Sequence, residues 1–278
     1  MIKRDIYKDI LDHLDSPEIS LLVGARQVGK TTLMEQLQKH LQDGGERTLF
    51  LNLDYEADAL HFRSQEALLK KIALEIGQAK GYVFIDEIQR KEDAGLFLKG
   101  IYDRHLPYKF IVSGSGSLEL KEKIHESLAG RKRLFELMPV SFAEFLQYRT
   151  NYRYESNWRE YLTTHPEQRR SLLAEYLSYG GYPRIVVENQ ESEKRRIIDE
   201  IYTSYVDKDI VALLRLERRD AFNRMMQLAS SQIGGLVNIS EWAATCGLAV
   251  ATLQSYLWYA ERTFVLRTLS PYFSNIKK

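Results

Sequence analysis

Residues 24–31 read G-A-R-Q-V-G-K-T, two glycines five apart followed by a lysine and a hydroxyl. These types at this spacing suit a phosphate chain. Glycine lets the backbone turn successive N–H groups toward anionic oxygens, and a helix opening at Lys30 would add its positive end. Lys30 supplies a mobile charge for β- and γ-phosphate oxygens, and the Thr31 hydroxyl can ligate Mg²⁺. The pattern G-x-x-x-x-G-K-[ST] carries weight only between a buried strand and a helix. Here "ISLLV" precedes it and "TTLMEQL" follows it. The residues expected to cradle the nucleotide are Gly24, Ala25, Arg26, Gln27, Val28, Gly29, Lys30, Thr31 and Thr32.

The segment "YVFIDEIQ", residues 82–89, supplies the complementary carboxylates. Asp86, at the carboxyl end of an apolar strand, can hold Mg²⁺ through its water shell, and the adjacent Glu87 can orient and deprotonate an attacking water. Asp followed by Glu points to water as the acceptor, hence hydrolysis. No [NT]-K-x-D stretch that would read guanine occurs, which favours ATP over GTP. "FIVSGSGS", residues 110–117, ends another apolar run with small hydroxyls. Ser115 is the first choice for a polar sensor of the γ-phosphate and Ser113 the second; a plain serine–glycine turn is the alternative.

These groups need a scaffold that brings distant loops together. From about residue 19 to 140, β-rich runs ("ISLLVG", "RTLFLNL", "GYVFID", "YKFIVSGS", "RLFELMPV") alternate with segments of helical length. That alternation predicts an α/β fold, a mostly parallel sheet with crossover helices on both faces. "LLV" and "VFI" are apolar at every position and read as central strands covered on both sides. Gly44 and Gly45 stand where the helix after the loop should stop, and Ser141 with Glu144 forms a capping box that opens a new helix.

Beyond residue 141 the pattern turns helical. Pro166 suits a first helical turn, and Ile197, Ile201, Tyr205, Ile210 and Leu214 recur at spacings of three to five. The last stretch predicts a helix over 221–232, a "GG" break, a short helix capped by Ser240, a turn at Gly247 and a helix over 250–261. A β-wing in "TFVLRTLSPYF" would then follow. Helix, turn, helix, strand is the order of a winged helix. The domain plan is therefore 1–140 core, 141–220 helical region and 221–278 winged helix.

Composition sets the limits. With 278 residues, 44% hydrophobic and 28% charged, the chain has the make-up of a soluble folded protein. The 39 basic and 38 acidic residues nearly cancel, so any attraction to nucleic acid must be local. A lone cysteine, Cys246, excludes an internal disulfide, fits a reducing compartment and is expected to be a small buried residue. Six scattered histidines suggest no metal cluster. The amino-terminal "MIKRDIYKDILDHLD" lacks a signal peptide's apolar core, and no run is long enough to span a bilayer. A cytoplasmic location without membrane attachment is expected.

Together, "GARQVGKTTL", "FIDEIQ", "VSGSGS", "LAGRKRLFELMPVSFAEF" and "YGGYPRIV" resemble the AAA+ superfamily of P-loop ATPases. More narrowly, they resemble a prokaryotic predicted-ATPase family related to the STAND group: ATPase core, helical lid, winged helix and a C-terminal nuclease-like domain. The first two segments would be its Walker A and Walker B motifs. The resemblance implies that "GGYPRI" is the G-x-P element of the lid, with Gly181 and Pro183 over the adenine. A glycine-rich turn ending a helix is the local alternative. Arg131 and Arg133 are either stabilisers of phosphate charge, as an arginine finger from the same chain or a neighbour is, or a solvated basic cluster. Arg4 and Tyr7 either border the adenine or belong to a surface helix. The resemblance also implies a further domain after the wing, whereas this sequence stops at "PYFSNIKK", as either a truncated chain or a shortened gene would.

Three functions follow from these readings. The first is a Mg²⁺-dependent ATPase acting as a molecular switch. The second is a DNA-binding winged-helix protein with a secondary nucleotide site. Its presumed recognition helix "VATLQSYLWYAE" offers Thr252, Gln254 and Ser255 as base readers but no lysine or arginine, with Arg262 and Arg267 flanking it. Its Tyr256, Trp258 and Tyr259 suit a protein partner equally. The third is a scaffold that keeps a nucleotide for stability. The sequence leaves the oligomeric state open.

Overall fold

The computed structural model describes residues 1–115, 127–206, 210 and 219–270. The chain divides into two compact units, 1–203 and 204–278. The boundaries expected near 140 and 220 fall within these units.

In the first unit the five apolar runs form one wholly parallel sheet: β1 (Ile19–Gly24), β2 (Thr48–Asn52), β3 (Gly81–Asp86), β4 (Tyr108–Ser115) and β5 (Lys132–Glu136). Their order across the sheet is β2-β3-β4-β1-β5. Every residue of β1 and β3 is buried, as their unbroken apolar character requires of strands covered on both faces. The order places β4 between β1 and β3, and register sets Gly24 beside Ser115 and Asn52 beside Asp86. The carboxyl ends of four strands thus converge on one rim, the usual location of ligands in open α/β sheets.

The helices α1 (Ile6–Asp12), α2 (Lys30–Asp43), α3 (Gln65–Ile76) and α4 (Ala94–Tyr102) accompany the strands. In α2, Leu33, Met34, Leu37 and Leu41 form the buried stripe, and Gly44 ends the helix as its C-cap. After β5 the chain runs through α5 (Phe142–Arg149), α6 (Trp158–Thr164), α7 (Pro166–Tyr179), α8 (Pro183–Val187) and α9 (Glu191–Tyr205). The capping box of Ser141 and Glu144 opens α5, and Pro166 occupies the first turn of α7. Ile197 and Ile201 of α9 pack with Ile185 of α8.

The second unit is built on α10 (Arg219–Ser231), α11 (Ile239–Cys246) and α12 (Val250–Arg262). Phe222, Met225, Trp242, Cys246, Leu253 and Tyr256 form its core with Tyr205 and Ile210. Leu214 lies outside the described residues. Gly247 takes the left-handed conformation (φ 64°) that turns the chain between α11 and α12. The cap of α11 is Asn238, whose side chain accepts from the Glu241 N–H, and not Ser240; the helix begins one residue before that serine. The expected wing also needs correction. No strand forms over 263–270, where Val265 and Leu266 instead pack on the helical core, and residues 271–273 of that segment lie outside the described residues.

No described helix is long and apolar enough to cross a membrane.

Candidate functional site

The loop 25–29 leaves β1 at Gly24 and enters α2 at Lys30. Gly24 has no room for a side chain: an added Cβ would lie 2.2 Å from the Leu137 carbonyl oxygen. That carbonyl belongs to the chain leaving β5, whose Leu137 N–H donates to Val23 O at 2.7 Å. Gln27 (φ 62°) and Gly29 (φ 96°) both adopt left-handed backbone, which gives the loop its sharp reversal. No side chain caps α2 at its N-cap residue Gly29. Lys30 is buried and folds back on the loop, donating to the carbonyls of Gly24 (3.0 Å) and Ala25 (2.8 Å).

The hydroxyl and carboxylate expected to act on one metal ion meet. Thr31 Oγ1 donates to Asp86 Oδ2 at 2.7 Å across 55 residues of sequence. Asp86 is fully buried and well supplied with donors: Ser113 Oγ and the Glu87 N–H (3.1 Å) bond to Oδ1, and Asn52 Nδ2 lies 3.4 Å from Oδ2. A hydroxyl and a carboxylate sharing one spot are hard oxygen donors, the kind Mg²⁺ takes when phosphates and water complete its shell. The residues therefore fit that ion.

Glu87 follows in a left-handed conformation (φ 57°, ψ 41°) that turns the chain out of β3. Its N–H also approaches Ser113 Oγ at 3.3 Å, and its carboxylate accepts from Gln89 Nε2. The two serines hold different places on the rim. Ser113, the second choice, holds Asp86 through its hydroxyl; Ser115 stands at the tip of β4 beside Gly24, its N–H bonded to Gln89 Oε1 at 3.0 Å.

Beside the loop is a cavity of about 240 Å³ whose wall includes Ile2, Val28, Leu33, Pro183 and Val187, with Arg4, Thr32, Gln36 and Arg184 as its polar members. A Cβ on Gly29 would lie 3.7 Å from the Pro183 ring, so α8 starts directly against the loop. Gly181 just before it admits no side chain, since its added Cβ would meet Val140 O at 2.1 Å. The "GGYPRI" segment is thus both the end of α7 and part of the cavity wall. Arg26 is half-buried in the loop.

Arg4 reaches this region and Tyr7 does not. The Arg4 guanidinium bonds to Val28 O (3.1 Å), Met138 O and the buried Glu144 (3.2 Å), while Tyr7 packs edge-on against His40. Glu144 also accepts from the Asp5 N–H at 2.8 Å. One carboxylate thereby caps α5 and fastens the amino-terminal segment.

Arg131 is a correction. It precedes β5 at the amino end of the sheet, where its carbonyl accepts from the N–H of Ile19, the first residue of β1. A six-residue strand, roughly 20 Å long, separates it from Gly24. Its guanidinium is engaged by Asp103 at 2.7 and 3.3 Å. Arg133 lies on the same half of the sheet, opposite Ser20, with its guanidinium over the Phe135 ring. Both arginines are at the wrong end of a parallel strand to reach phosphates held by the loop of their own chain.

Sequence reasoning missed Asn52, Gln89 and Arg184 at this rim. Arg184 donates to Gln27 Oε1 at 3.3 Å and pairs with Glu200. Two carried a usable signal: Gln89 closes the segment "FIDEIQ", and Arg184 follows Pro183 in "GGYPRI".

Comparison with known proteins agrees with this geometry. Residues 16–146 match the model of a family described as an AAA domain. The match supports an AAA-type P-loop ATPase and implies nucleotide binding at the family level. Residues 170–278 match a family described as a domain of unknown function (DUF8612). An uncharacterized protein of Methanocaldococcus jannaschii is 30% identical over 209 residues, 74% of this chain and 45% of its own length. An uncharacterized protein of Haemophilus influenzae is 26% identical over 288 residues, 98% of this chain and 67% of its length. The chain thus spans about half to two thirds of the curated relatives it matches. Among solved structures, the Pif1 helicase from Candida albicans aligns with 54% of this chain and 43% of its own at 18% identity and a TM-score of 0.38.

Proposed function

We propose that the first unit binds ATP with Mg²⁺ and hydrolyses it, as a molecular switch of the AAA+ type. The observation that carries this reading is the 2.7 Å contact between the Thr31 hydroxyl and the Asp86 carboxylate at the mouth of a sharply turned glycine loop. The loop N–H groups and Lys30 hold the triphosphate, and Thr31 and Asp86 hold the metal ion, which when bound neutralises phosphate charge. Glu87 takes a proton from water as the water oxygen bonds to the γ-phosphorus. The bond from that phosphorus to the β–γ bridging oxygen breaks, and ADP and phosphate leave. Ser115, at the strand tip beside Gly24, contacts the γ-phosphate. The adenine fills the cavity beside Pro183, whose mainly apolar wall suits a flat heterocycle. Helices α5 to α9 serve as the lid, and the second unit passes the nucleotide state to a partner.

That partner is a protein rather than DNA. Helix α12 carries no basic residue before Arg262, and the Arg262 guanidinium lies over the Trp258 ring. Phosphate contacts, which dominate nucleic-acid affinity, are therefore scarce on it. Tyr256 is spent in the core against Phe222, which leaves Trp258 and Tyr259 for an interface. Duplex-DNA binding that strengthens steeply as salt is lowered would reverse this assignment.

Phosphate release from ATP by the purified protein, with and without Mg²⁺, tests the main reading. Glu87→Gln should bind ATP and hydrolyse it at least ~100-fold more slowly, the cost of losing a positioned base. Undiminished turnover in that variant would remove Glu87 from its role. Failure of the wild-type chain to bind nucleotide would end the proposal. Nucleotide bound without any turnover would instead favour a structural role for it.

A further inference from the structure

Gln89 lies in the single 3₁₀ turn Ile88–Arg90 that follows β3, and both ends of its amide are engaged. Oε1 accepts the Ser115 N–H at 3.0 Å, and Nε2 donates to the Glu87 carboxylate. A backbone N–H can only donate, so the first contact fixes which way the amide faces, and its amino group must be the end turned toward Glu87. The Glu87 backbone is separately pinned by Asp86 and Ser113 and held in left-handed conformation. Backbone pinning leaves a glutamate side chain free to rotate about several bonds, and a base that is misplaced by an ångström loses much of its effect.

We propose that Gln89 is a positioning residue that ties the Glu87 carboxylate to the tip of β4. Ser115 heads that strand beside Gly24, so a γ-phosphate that engages the tip is felt at the base through one side chain. The inference rests on the reading of Glu87 as the base and assigns Gln89 no contact with the nucleotide. It also explains why an amide suits this position: it offers one acceptor to an N–H and one donor to a carboxylate. A carboxylate there would keep the first contact and oppose the second.

Steady-state ATP hydrolysis by the full chain tests this with Gln89→Leu, Gln89→Glu and Glu87→Gln. Gln89→Leu should lower kcat about 10- to 100-fold while KM and the affinity for a non-hydrolysable ATP analogue stay within about threefold, as expected for loss of orientation alone. Gln89→Glu should be impaired at least as much. Adding Gln89→Leu to Glu87→Gln should cost nothing further, because the two residues act as one unit. Wild-type kcat in Gln89→Leu, or in Gln89→Glu should the leucine variant not fold, would overturn the inference and leave the base assignment standing. A full additive loss in the double variant would also overturn it. Wild-type turnover in Glu87→Gln, or a wild-type chain without turnover, would instead overturn the base assignment, and this inference with it.

Discussion

Lys30 and Lys109 make an instructive pair. Each is 6% exposed, and each donates to two backbone carbonyls: Lys30 to Gly24 and Ala25, Lys109 to Ser16 and Glu18. They occupy opposite ends of neighbouring strands. Lys109 is at the amino end of β4, closed in with His13, whose Nδ1 lies 3.3 Å from its ammonium and 2.8 Å from Ser20 Oγ. Burial pulls the Lys109 pKa down to about 8. Lys30 opens a helix whose N–H groups have no side-chain cap, in a left-handed loop bordered by a cavity. Burial and carbonyl partners are therefore the same in a structural lysine and a proposed phosphate-binding one. Strand polarity and the helix end distinguish them.

The comparison is broken most sharply by removing each lysine. Lys30→Ala is expected to abolish measurable ATP binding and also to lower stability by about 2–3 kcal/mol, because the buried Gly24 and Ala25 carbonyls lose their donor. Lys109→Ala should leave nucleotide affinity intact and cost about 1–3 kcal/mol of stability, because the part-buried Ser16 and Glu18 carbonyls lose their donor. Equal loss of binding in both, by isothermal titration, would erase the distinction.

The His13 side of the amino end sharpens it with pH. Burial first, then Lys109 and Arg133, push the His13 pKa from 6.5 down to about 4. Between those values the unfolded chain takes up a proton that the folded one refuses, so stability falls as pH drops from 6.5 to 4 and levels off below. The loss is on the order of 3 kcal/mol. Urea unfolding of His13→Asn across that window should lack this part of the slope; a slope equal to wild type would show that His13 is not its source.

Next is Gly24→Ala, which forces a methyl against the Leu137 carbonyl. Overpacking of this kind costs about 1–3 kcal/mol, and the displaced loop should also weaken ATP binding; unchanged Tm and affinity would mean that the backbone yields freely there. The smallest effect belongs to Arg131→Ala. An exposed ion pair with Asp103 contributes little, and its place at the amino end predicts unaltered turnover and no resolvable Tm change. A drop in kcat would return Arg131 to the site.

Much of the first unit was readable because the signals are local. The apolar runs of β1 and β3, the glycine loop, Gly44 and the Ser141–Glu144 box each depend on residues within a few positions. What could not be read depends on strand order. Arg131 borders a glycine and a strand, but only the parallel pairing of β5 with β1 shows that it opens the strand at the end away from the loop. The links from Arg4 to Glu144 and from Gln89 to Ser115 span 140 and 26 residues and leave no periodic trace. The cap of α11 was missed by two positions because Asn238 and Ser240 are both good caps. The expected wing was read from β-forming residues alone, yet 263–270 gains no pairing partner among the described residues.

Met1 and Ile2 stand in the wall of the cavity beside Gly29 and Pro183, with Ile2 packed against Val140, Phe145 and Val186. Any peptide joined ahead of Met1 begins at that wall. A purification tag joined there would crowd the space assigned to adenine, so protein without one is the proper material for measuring nucleotide affinity.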